Sequence, residues 1–145
     1  MLKEGQGFAV EVNGIAHIFL SVRNYEECAA FYRQLLPAIG LTFVVRDNPD
    51  SLYCIGGRTG FGIARAEAGL RDVPFTQGRP GLHHVCFRAR SREDVDFVHQ
   101  LARKLGAKII HAPDEGQWAP GTIRSCSKIP TVSASKSISF PARAC

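Results

Sequence analysis

The sequence predicts an α+β fold made of two tandem βαβββ repeats. A strand-like segment followed by an amphipathic helix occurs twice, and each helix follows a capping pattern. A shift of 67 residues (84 minus 17) places His17 on His84 and Asn24 on Ser91. Because an internal repeat sets the architecture of a chain, we expect two copies of one supersecondary unit.

The first repeat begins with an alternating segment at residues 15–22, in which His17 and Phe19 share one face of a predicted strand. Asn24, with Glu27 three residues later, predicts the start of a helix. The apolar positions of that helix follow the i, i+3, i+4, i+7 spacing, at Cys28, Phe31, Tyr32 and Leu35.

Three short strands are predicted after this helix, at residues 41–45, 51–55 and 61–65. The turn-forming sequences DNPD and GGRTG separate them. Residues 67–80 are rich in glycine, proline and acidic residues, which predicts a linker. The second repeat then starts with a predicted strand at residues 82–89, and its helix follows the capping pattern of Ser91 and Asp94.

Size and charge limit the function classes. A chain of 145 residues with 45% hydrophobic and 21% charged residues suits one globular domain. Its net charge of +5 comes mostly from residues 122–145, which hold four basic residues and no acidic one. No basic stripe interleaved with aromatic residues is present, so we expect no nucleic-acid partner. No apolar run reaches the roughly 20 residues of a membrane span, and no signal-peptide pattern is present, so we expect a cytoplasmic protein.

The five cysteines do not predict a disulfide framework, because their count is odd and none of them forms a CxxC pair. Cys28 and Cys86 fall within apolar periodic segments. We therefore expect both thiols to be buried and unreactive.

The histidines predict a metal site between the repeats. His17 and His84 occupy matching faces of matching strands, so their side chains can converge on one point. Imidazole nitrogens are good ligands for Zn, Fe, Ni or Mn. The alternative is that each is a hydrogen-bonded residue of a sheet. We expect His99 to be a solvated helix residue, and His111, which precedes Pro113, to lie in a loop.

The segment HIFLSVRNYEECAAFY followed by GLHHVCFRA, inside the duplicated pattern, resembles the vicinal-oxygen-chelate (VOC) superfamily of glyoxalases, bleomycin resistance proteins and extradiol dioxygenases. The resemblance covers about residues 14–121. It implies a mixed sheet curved around a cleft that holds a divalent metal. The ligands that it implies are His17, His84 and a carboxylate on the eighth strand, whereas the fourth-strand segment FGIARAE offers no clear ligand.

Two functions follow from the resemblance. The first is a metal-dependent lyase, isomerase or dioxygenase, in which the metal acts as a Lewis acid on a small oxygen-bearing metabolite. The second is a non-catalytic, drug-sequestering module, for which Phe61 would join the binding residues. A homodimer is an assembly that the family allows, and no catalytic residue is assigned. The substrate-binding residues that we predict are Phe19, Tyr53, Arg65 and Trp118.

The sequence departs from the family pattern after Gly121. Family members end the second module in a pattern like F-x-D-P-D-G-x-x-[ILV]-E, whereas this chain has TIRSCSKIPTVSASKSISF. Codons that encode this segment can be chosen so that the same bases, read one position earlier, encode Y-Y-S-Φ-Φ-F-E-D-P-D-G-Φ-R-Φ-E-V, in which Φ is an apolar residue. At several Φ positions the shifted codon has T in the middle whichever codons are chosen. Such a codon always encodes an apolar residue. We therefore interpret residues 122–145 as an out-of-frame tail that follows the loss of one base.

The tail changes what the domain is expected to do. Residues 1–121 are interpreted as a single VOC domain, with module one at about 14–66, the linker at 67–80 and module two from about 81. The second module is expected to be incomplete, and its carboxylate ligand to be missing near residues 135 and 136. Metal binding and activity are therefore expected to be weak or absent. The serine alternation in the tail allows a short replacement strand, and its composition equally suits disorder.

Overall fold

The computed structural model describes residues 14–73, 80, 82, 84–115, 122–128, 137–139 and 142–143. These residues form two mixed sheets, two α-helices and a short 3-10 helix (Ala68–Leu70). The strands and α-helices follow the order βαβββ–βαβββ, and a short ninth strand comes last. The predicted α+β class and the tandem repeat are confirmed.

The first sheet has the strand order β1-β4-β3-β2. Strand β1 (His17–Val22) is parallel to β4 (Thr59–Arg65), and β3 (Ser51–Gly56) lies antiparallel between β4 and β2 (Thr42–Val45). The parallel pairing arises because helix α1 (Tyr25–Ala38) carries the chain across one face of the sheet. That helix leaves the other face of the first sheet open.

The second sheet repeats this order as β5-β8-β7-β6. Strand β5 (His84–Cys86) is parallel to β8 (Ser137–Ser139), and β7 (Thr122–Lys128) lies antiparallel between β8 and β6 (Lys108–Glu115). A ninth strand, β9 (Ala142–Arg143), pairs with β7. Strands β7, β8 and β9 fall within residues 122–145, for which we expected either a short replacement strand or disorder. Strands β5 and β8 pair over only three residues, against six for β1 and β4.

Strand β6 contains His111, which we expected in a loop. That prediction was wrong because Pro113 does not end the strand. The pairing with β7 shifts register between Ile109 and His111 and again between His111 and Asp114. Strand β6 is also at the edge of its sheet. A proline has no N–H group to donate, and on the open side of an edge strand there is no partner strand that needs one.

Both predicted helix starts are confirmed. The side chain of Asn24 accepts a hydrogen bond from the backbone nitrogen of Glu27 at the start of α1, at 3.5 Å. Helix α2 (Arg92–Lys104) begins with a complete capping box between Ser91 and Asp94. In the described part of the chain, neither helix is long and apolar enough to cross a membrane.

One hydrophobic cluster contains residues of both repeats. Within it, Phe61 is 0% exposed, and its ring lies 5.3 Å from that of Tyr32 and 5.4 Å from that of Phe87. The prediction that Phe61 lines a ligand cleft was therefore wrong. Alternation along β4 places Phe61 on the face covered by α1, together with Ile63.

The hydroxyl of Tyr32 is buried in this cluster, and no described group accepts its hydrogen bond. Burial also raises the pKa of this phenol far above its ordinary value. Because an unpaired buried hydroxyl is destabilising, we expect Tyr32→Phe to leave the free energy of unfolding unchanged or to raise it by about 1 kcal/mol, measured by urea denaturation.

A matched control is Tyr25→Phe, because the hydroxyl of Tyr25 donates to the carbonyl oxygen of Asn48 at 3.0 Å. We expect that variant to lose about 1 kcal/mol. Equal losses in the two variants would mean that Tyr32 has a partner in solution, and would contradict the prediction.

Candidate ligand-binding face

The open face of the first sheet begins on β1. His17 and Phe19 alternate there with Ile18 and the buried Leu20, so their side chains share the face opposite α1. Their rings meet edge to face, with centroids 6.3 Å apart. Phe19 is 49% exposed, which leaves much of its ring accessible to a ligand.

Two glycines of β4 form the floor beneath these rings. The parallel register pairs His17 with Gly60 and Phe19 with Gly62. A Cβ atom at Gly62 would lie 2.6 Å from Cε1 of Phe19, and one at Gly60 would meet the hydroxyl of Tyr53. Since real Cβ contacts essentially never fall below 3.0 Å, a side chain at either position would displace these rings from where they lie.

Tyr53 on β3 completes this surface. Its ring stacks on that of Phe19, with centroids 5.2 Å apart and planes inclined by 17°. Its hydroxyl reaches Gly60, the partner of His17, so the phenol oxygen and the imidazole lie at the same end of the surface. We call His17, Phe19 and Tyr53, with Gly60 and Gly62 beneath them, the aromatic face. An exposed ring at one end and two hydrogen-bonding groups at the other suit a small aromatic molecule that carries oxygen.

The donors for a metal are few on the described residues. On β4 the open face carries Gly60, Gly62 and Ala64, none of which has a ligating side chain. His84 is exposed on β5, where its backbone pairs with Ser137. Among the described residues, no three His, Cys, Asp or Glu side chains lie close enough to hold a metal ion. The donors described, with His17 and His84 as the predicted pair, thus do not fit a complete divalent-metal site.

Arg65 lies at the end of β4, on the opposite side from the aromatic face. Its guanidinium forms two hydrogen bonds with the carboxylate of Glu26, at 2.7 and 3.2 Å, and one with Asp50 at 2.9 Å. It also bonds the carbonyl oxygen of Pro49 and lies 5.0 Å from the ring centre of Tyr25. The hydrogen bond from Arg65 lowers the pKa of the Glu26 carboxyl. This placement fastens α1 to the loop before β3, and does not support the predicted role in substrate binding.

Sequence reasoning missed the two glycines, although the signal was present. The segment TGFGI puts glycine at alternate positions of a predicted strand, where side chains normally pack. Such a pattern indicates close approach of another group to the backbone, which here is an aromatic ring. Trp118, another predicted substrate-binding residue, lies outside the described residues.

The cysteines differ in accessibility. Cys28 and Cys54 are buried, and burial raises the pKa of each thiol to about 11. Cys86 is exposed, so our expectation of a buried thiol was wrong. The reason is the period of the strand: Val85 faces the core, and Cys86 therefore falls on the other face of β5.

Alkylation of the native protein should distinguish these thiols. Since only the accessible thiolate reacts, we expect iodoacetamide at about pH 8 to label Cys86 at least about a hundredfold faster than Cys28 or Cys54. Peptide mass spectrometry at successive times measures the three rates. In guanidinium-unfolded protein the three should react alike. Equal labelling of the folded chain would contradict the burial described above.

Comparison with known proteins agrees with this fold. The sequence profile of the Glyoxalase/Bleomycin resistance protein/Dioxygenase superfamily matches residues 14–128. Among solved structures, a candidate glyoxalase from Bacillus halodurans has 23% identity and a TM-score of 0.76, covering 90% of this chain and 96% of that one. A glyoxylase/bleomycin resistance protein/dioxygenase domain from Frankia sp. EAN1pec has 20% identity and a TM-score of 0.72, covering 92% and 93%.

A lactoylglutathione lyase from Agrobacterium tumefaciens is similar at 21% identity and a TM-score of 0.62, covering 90% of this chain and 94% of that one. The curated proteins include none that matches this chain. Because these identities are low, the solved structures establish the shared fold alone. The family profile matches most of the sequence, and the chain therefore belongs to the Glyoxalase/Bleomycin resistance protein/Dioxygenase superfamily.

Proposed function

We propose that this chain binds a small, oxygen-bearing aromatic molecule on the aromatic face and acts as a non-catalytic binding module of its superfamily. The observation that carries the proposal is the stacked pair of Phe19 and Tyr53 on bare backbone at Gly60 and Gly62. On β4 these rings occupy the space into which a ligating side chain would otherwise project. Membership of the superfamily supports a small molecule as the ligand.

The chemistry of the face defines the ligand further. Stacking on an exposed ring contributes about 0.5–1.5 kcal/mol beyond the burial of apolar area. Ile55, which is 47% exposed, shares this face with Tyr53 by alternation along β3 and adds apolar surface beside it. The hydroxyl of Tyr53 and the imidazole of His17 both hydrogen-bond oxygen. A ring that carries one or two oxygens therefore matches the face better than an alkyl chain.

Catechol is a suitable probe, and cis-1,2-cyclohexanediol is its matched control, because both carry adjacent hydroxyls and only the first has a π-face. We expect catechol to shift the amide resonances of Gly60 and Gly62 in an NMR titration, whereas the diol leaves them in place. EDTA should not change the affinity for catechol. Affinity that disappears with EDTA would overturn the non-catalytic proposal in favour of a metal site.

Phe19→Leu tests the stacking contact. Leucine keeps most of the volume of Phe19 and removes the ring, so we expect the affinity for catechol to fall about fivefold. The control is Phe97→Leu, the same change at a residue of α2 that is 54% exposed and lies outside the aromatic face. If the two variants bind catechol equally well, the proposed site is wrong.

A second candidate is a metal-dependent enzyme. This function would belong to the protein that is encoded when the codons after Gly121 are read one base earlier, which we call the frame-restored protein. The observation that favours it is the parallel pairing of β5 with β8, which brings the backbone of residues 137–139 beside His84. The resemblance places a carboxylate ligand on the eighth strand. The frame-restored protein has a glutamate next to the position of residues 137–139. In that form His17, His84 and the restored glutamate would hold the ion. A bound divalent ion supplies a Lewis acid for adjacent substrate oxygens.

Metal stoichiometry distinguishes the two forms. We expect the frame-restored protein to bind one Zn, Fe, Ni or Mn per chain, and the 145-residue chain to bind much less than one. His17→Ala and His84→Ala should abolish binding in the restored form, and His111→Ala serves as the control. A tight one-to-one site in the 145-residue chain would refute the loss of the third ligand. The coding DNA around Gly121, read in all three frames, tests the frame shift itself.

A further inference from the structure

A cavity lies between the two repeats, away from the aromatic face. It has a volume of about 550 Å³, which is within the usual range for pockets that hold drug-sized ligands. The first repeat contributes residues 38–41 at the end of α1 and the turn between β3 and β4. The second contributes the segment after β5 and one side of α2. We call it the inter-repeat pocket; none of the residues of the aromatic face lines it.

Glycines build the floor of this pocket. Gly56 packs so closely on the end of α1 that a Cβ atom there would lie 2.6 Å from the carbonyl oxygen of Gly40. Gly40 and Gly57 have φ values of +86° and +55°, a region that favours glycine. Backbone atoms rather than side chains therefore line this part of the cavity, and the space above them stays open.

Two phenylalanines of the second repeat line the cavity. Phe87 is held by the edge-to-face contact with Phe61, at 5.4 Å, and so forms a fixed wall. Phe97 also lines the cavity and is 54% exposed, on a helix whose other exposed residues are polar. An exposed aromatic ring that lines a cavity gains from being covered by a ligand.

The rim is positively charged. Along the segment after β5, exposed Arg88 and Arg90 alternate with partly buried Phe87 and Ala89, and all four residues line the cavity. Asp94 also lines the cavity, but its carboxylate accepts a hydrogen bond from the backbone nitrogen of Ser91 in the capping box. Two cations against one carboxylate that already has a partner leave a rim that favours an anion.

We propose that the inter-repeat pocket binds an amphipathic carboxylate, with its anionic head at Arg88 and Arg90 and its apolar body against Phe87 and Phe97. The planar fork of an arginine matches the two oxygens of a carboxylate. Because the pocket takes residues from both repeats, the bound ligand bridges them. A molecule that binds only the folded form also raises the thermal midpoint of unfolding.

Decanoate is the probe, added below its micelle-forming concentration, with decanol and acetate as the uncharged and the tail-free controls. In an amide NMR titration of the 145-residue chain, we expect decanoate to shift the amide resonances of Gly40, Gly56 and Gly57 and to leave that of Gly62 unchanged. Decanoate should also raise the midpoint of unfolding, and acetate should not. Shifts confined to Gly60 and Gly62, or spread evenly over the surface, would overturn the proposal.

Charge variants test the head group. We expect Arg90→Gln to weaken the binding of decanoate about tenfold, because one charge-assisted hydrogen bond is lost. The binding of decanol should not change. The double variant Arg88→Gln/Arg90→Gln should weaken it further. Arg103→Gln, an equivalent charge change on α2 outside the pocket, is the control. Unchanged affinity for decanoate in the double variant would overturn the role of the rim.

An apolar variant tests the wall. Phe97→Ala should weaken both decanoate and decanol, because both bury the same ring. Leu70→Ala removes an apolar side chain of similar exposure, 59%, that does not line the pocket, and should change neither. Phe19→Leu separates this site from the aromatic face: it should weaken catechol and leave decanoate unchanged. Loss of decanoate binding in Phe19→Leu would assign both ligands to one site and overturn the proposal.

Discussion

Phe61→Ala is expected to lower the free energy of unfolding by about 3–5 kcal/mol, whereas Phe19→Ala should lower it by less than about 1 kcal/mol. Both residues are phenylalanines of neighbouring strands, yet Phe61 is fully buried and Phe19 is half exposed. Removing the ring of Phe61 leaves a cavity between Tyr32 and Phe87, which belong to different repeats. The effect should therefore reach both repeats.

Urea denaturation followed by circular dichroism measures both changes in free energy. The second readout is catechol affinity, which Phe19→Ala should reduce by about tenfold because the stacked ring is lost. Phe61→Leu keeps most of the core volume, should remain folded, and should bind catechol as the unmodified chain does. If Phe19→Ala proves as destabilising as Phe61→Ala, then Phe19 belongs to the core and the aromatic face is wrongly placed.

The architecture was predictable because its signals are local and repeated. The capping patterns at Asn24 and Ser91 each lie within four residues of chain, and both are present in the structure. The match of His17 with His84 likewise anticipated equivalent strands, since these two residues begin β1 and β5. Signals of this kind depend on backbone hydrogen bonds and helix periodicity, not on distant packing.

The errors concern which face of a strand a residue occupies. Cys86 was expected to be buried because its segment is apolar, and Phe61 was expected to join the binding residues of a drug-sequestering module. The structure places both by strand alternation, against Val85 and against α1. Arg65 was expected at a ligand, and its guanidinium instead pairs with Glu26, which is distant in sequence. Such outcomes depend on which helix covers which face, and a short segment does not contain that information.

The aromatic face depends even more on tertiary structure. Its members come from β1, β3 and β4, and they meet only because β4 lies between the other two strands. The alternating glycines were visible in the sequence, but their meaning depends on the rings that lie on them. The sequence of β4 alone shows only that Gly60 and Gly62 have no side chains. The structure of the sheet shows that Phe19 and Tyr53 pack on these two glycines.

Gly62→Ala is expected to lower the free energy of unfolding by about 1–3 kcal/mol and the affinity for catechol by about tenfold. The added Cβ would lie 2.6 Å from two ring atoms of Phe19 and 2.9 Å from the carbonyl oxygen of Leu52. The ring can rotate away, but the carbonyl belongs to the neighbouring strand, so β3 must also move. Gly69→Ala is the control, because a Cβ there meets nothing within 4 Å.

A double-mutant cycle assigns this loss to the ring. In a Phe19→Ala background the contact with Phe19 no longer exists, so Gly62→Ala should be less destabilising there by about 0.5 kcal/mol or more. What remains is the contact with the backbone of Leu52, which no side-chain change removes. Strictly additive effects would mean that Phe19 does not rest on Gly62 in solution. Coupling between the two sites would instead show that the ring depends on the glycine, which is the physical basis of the proposed binding face.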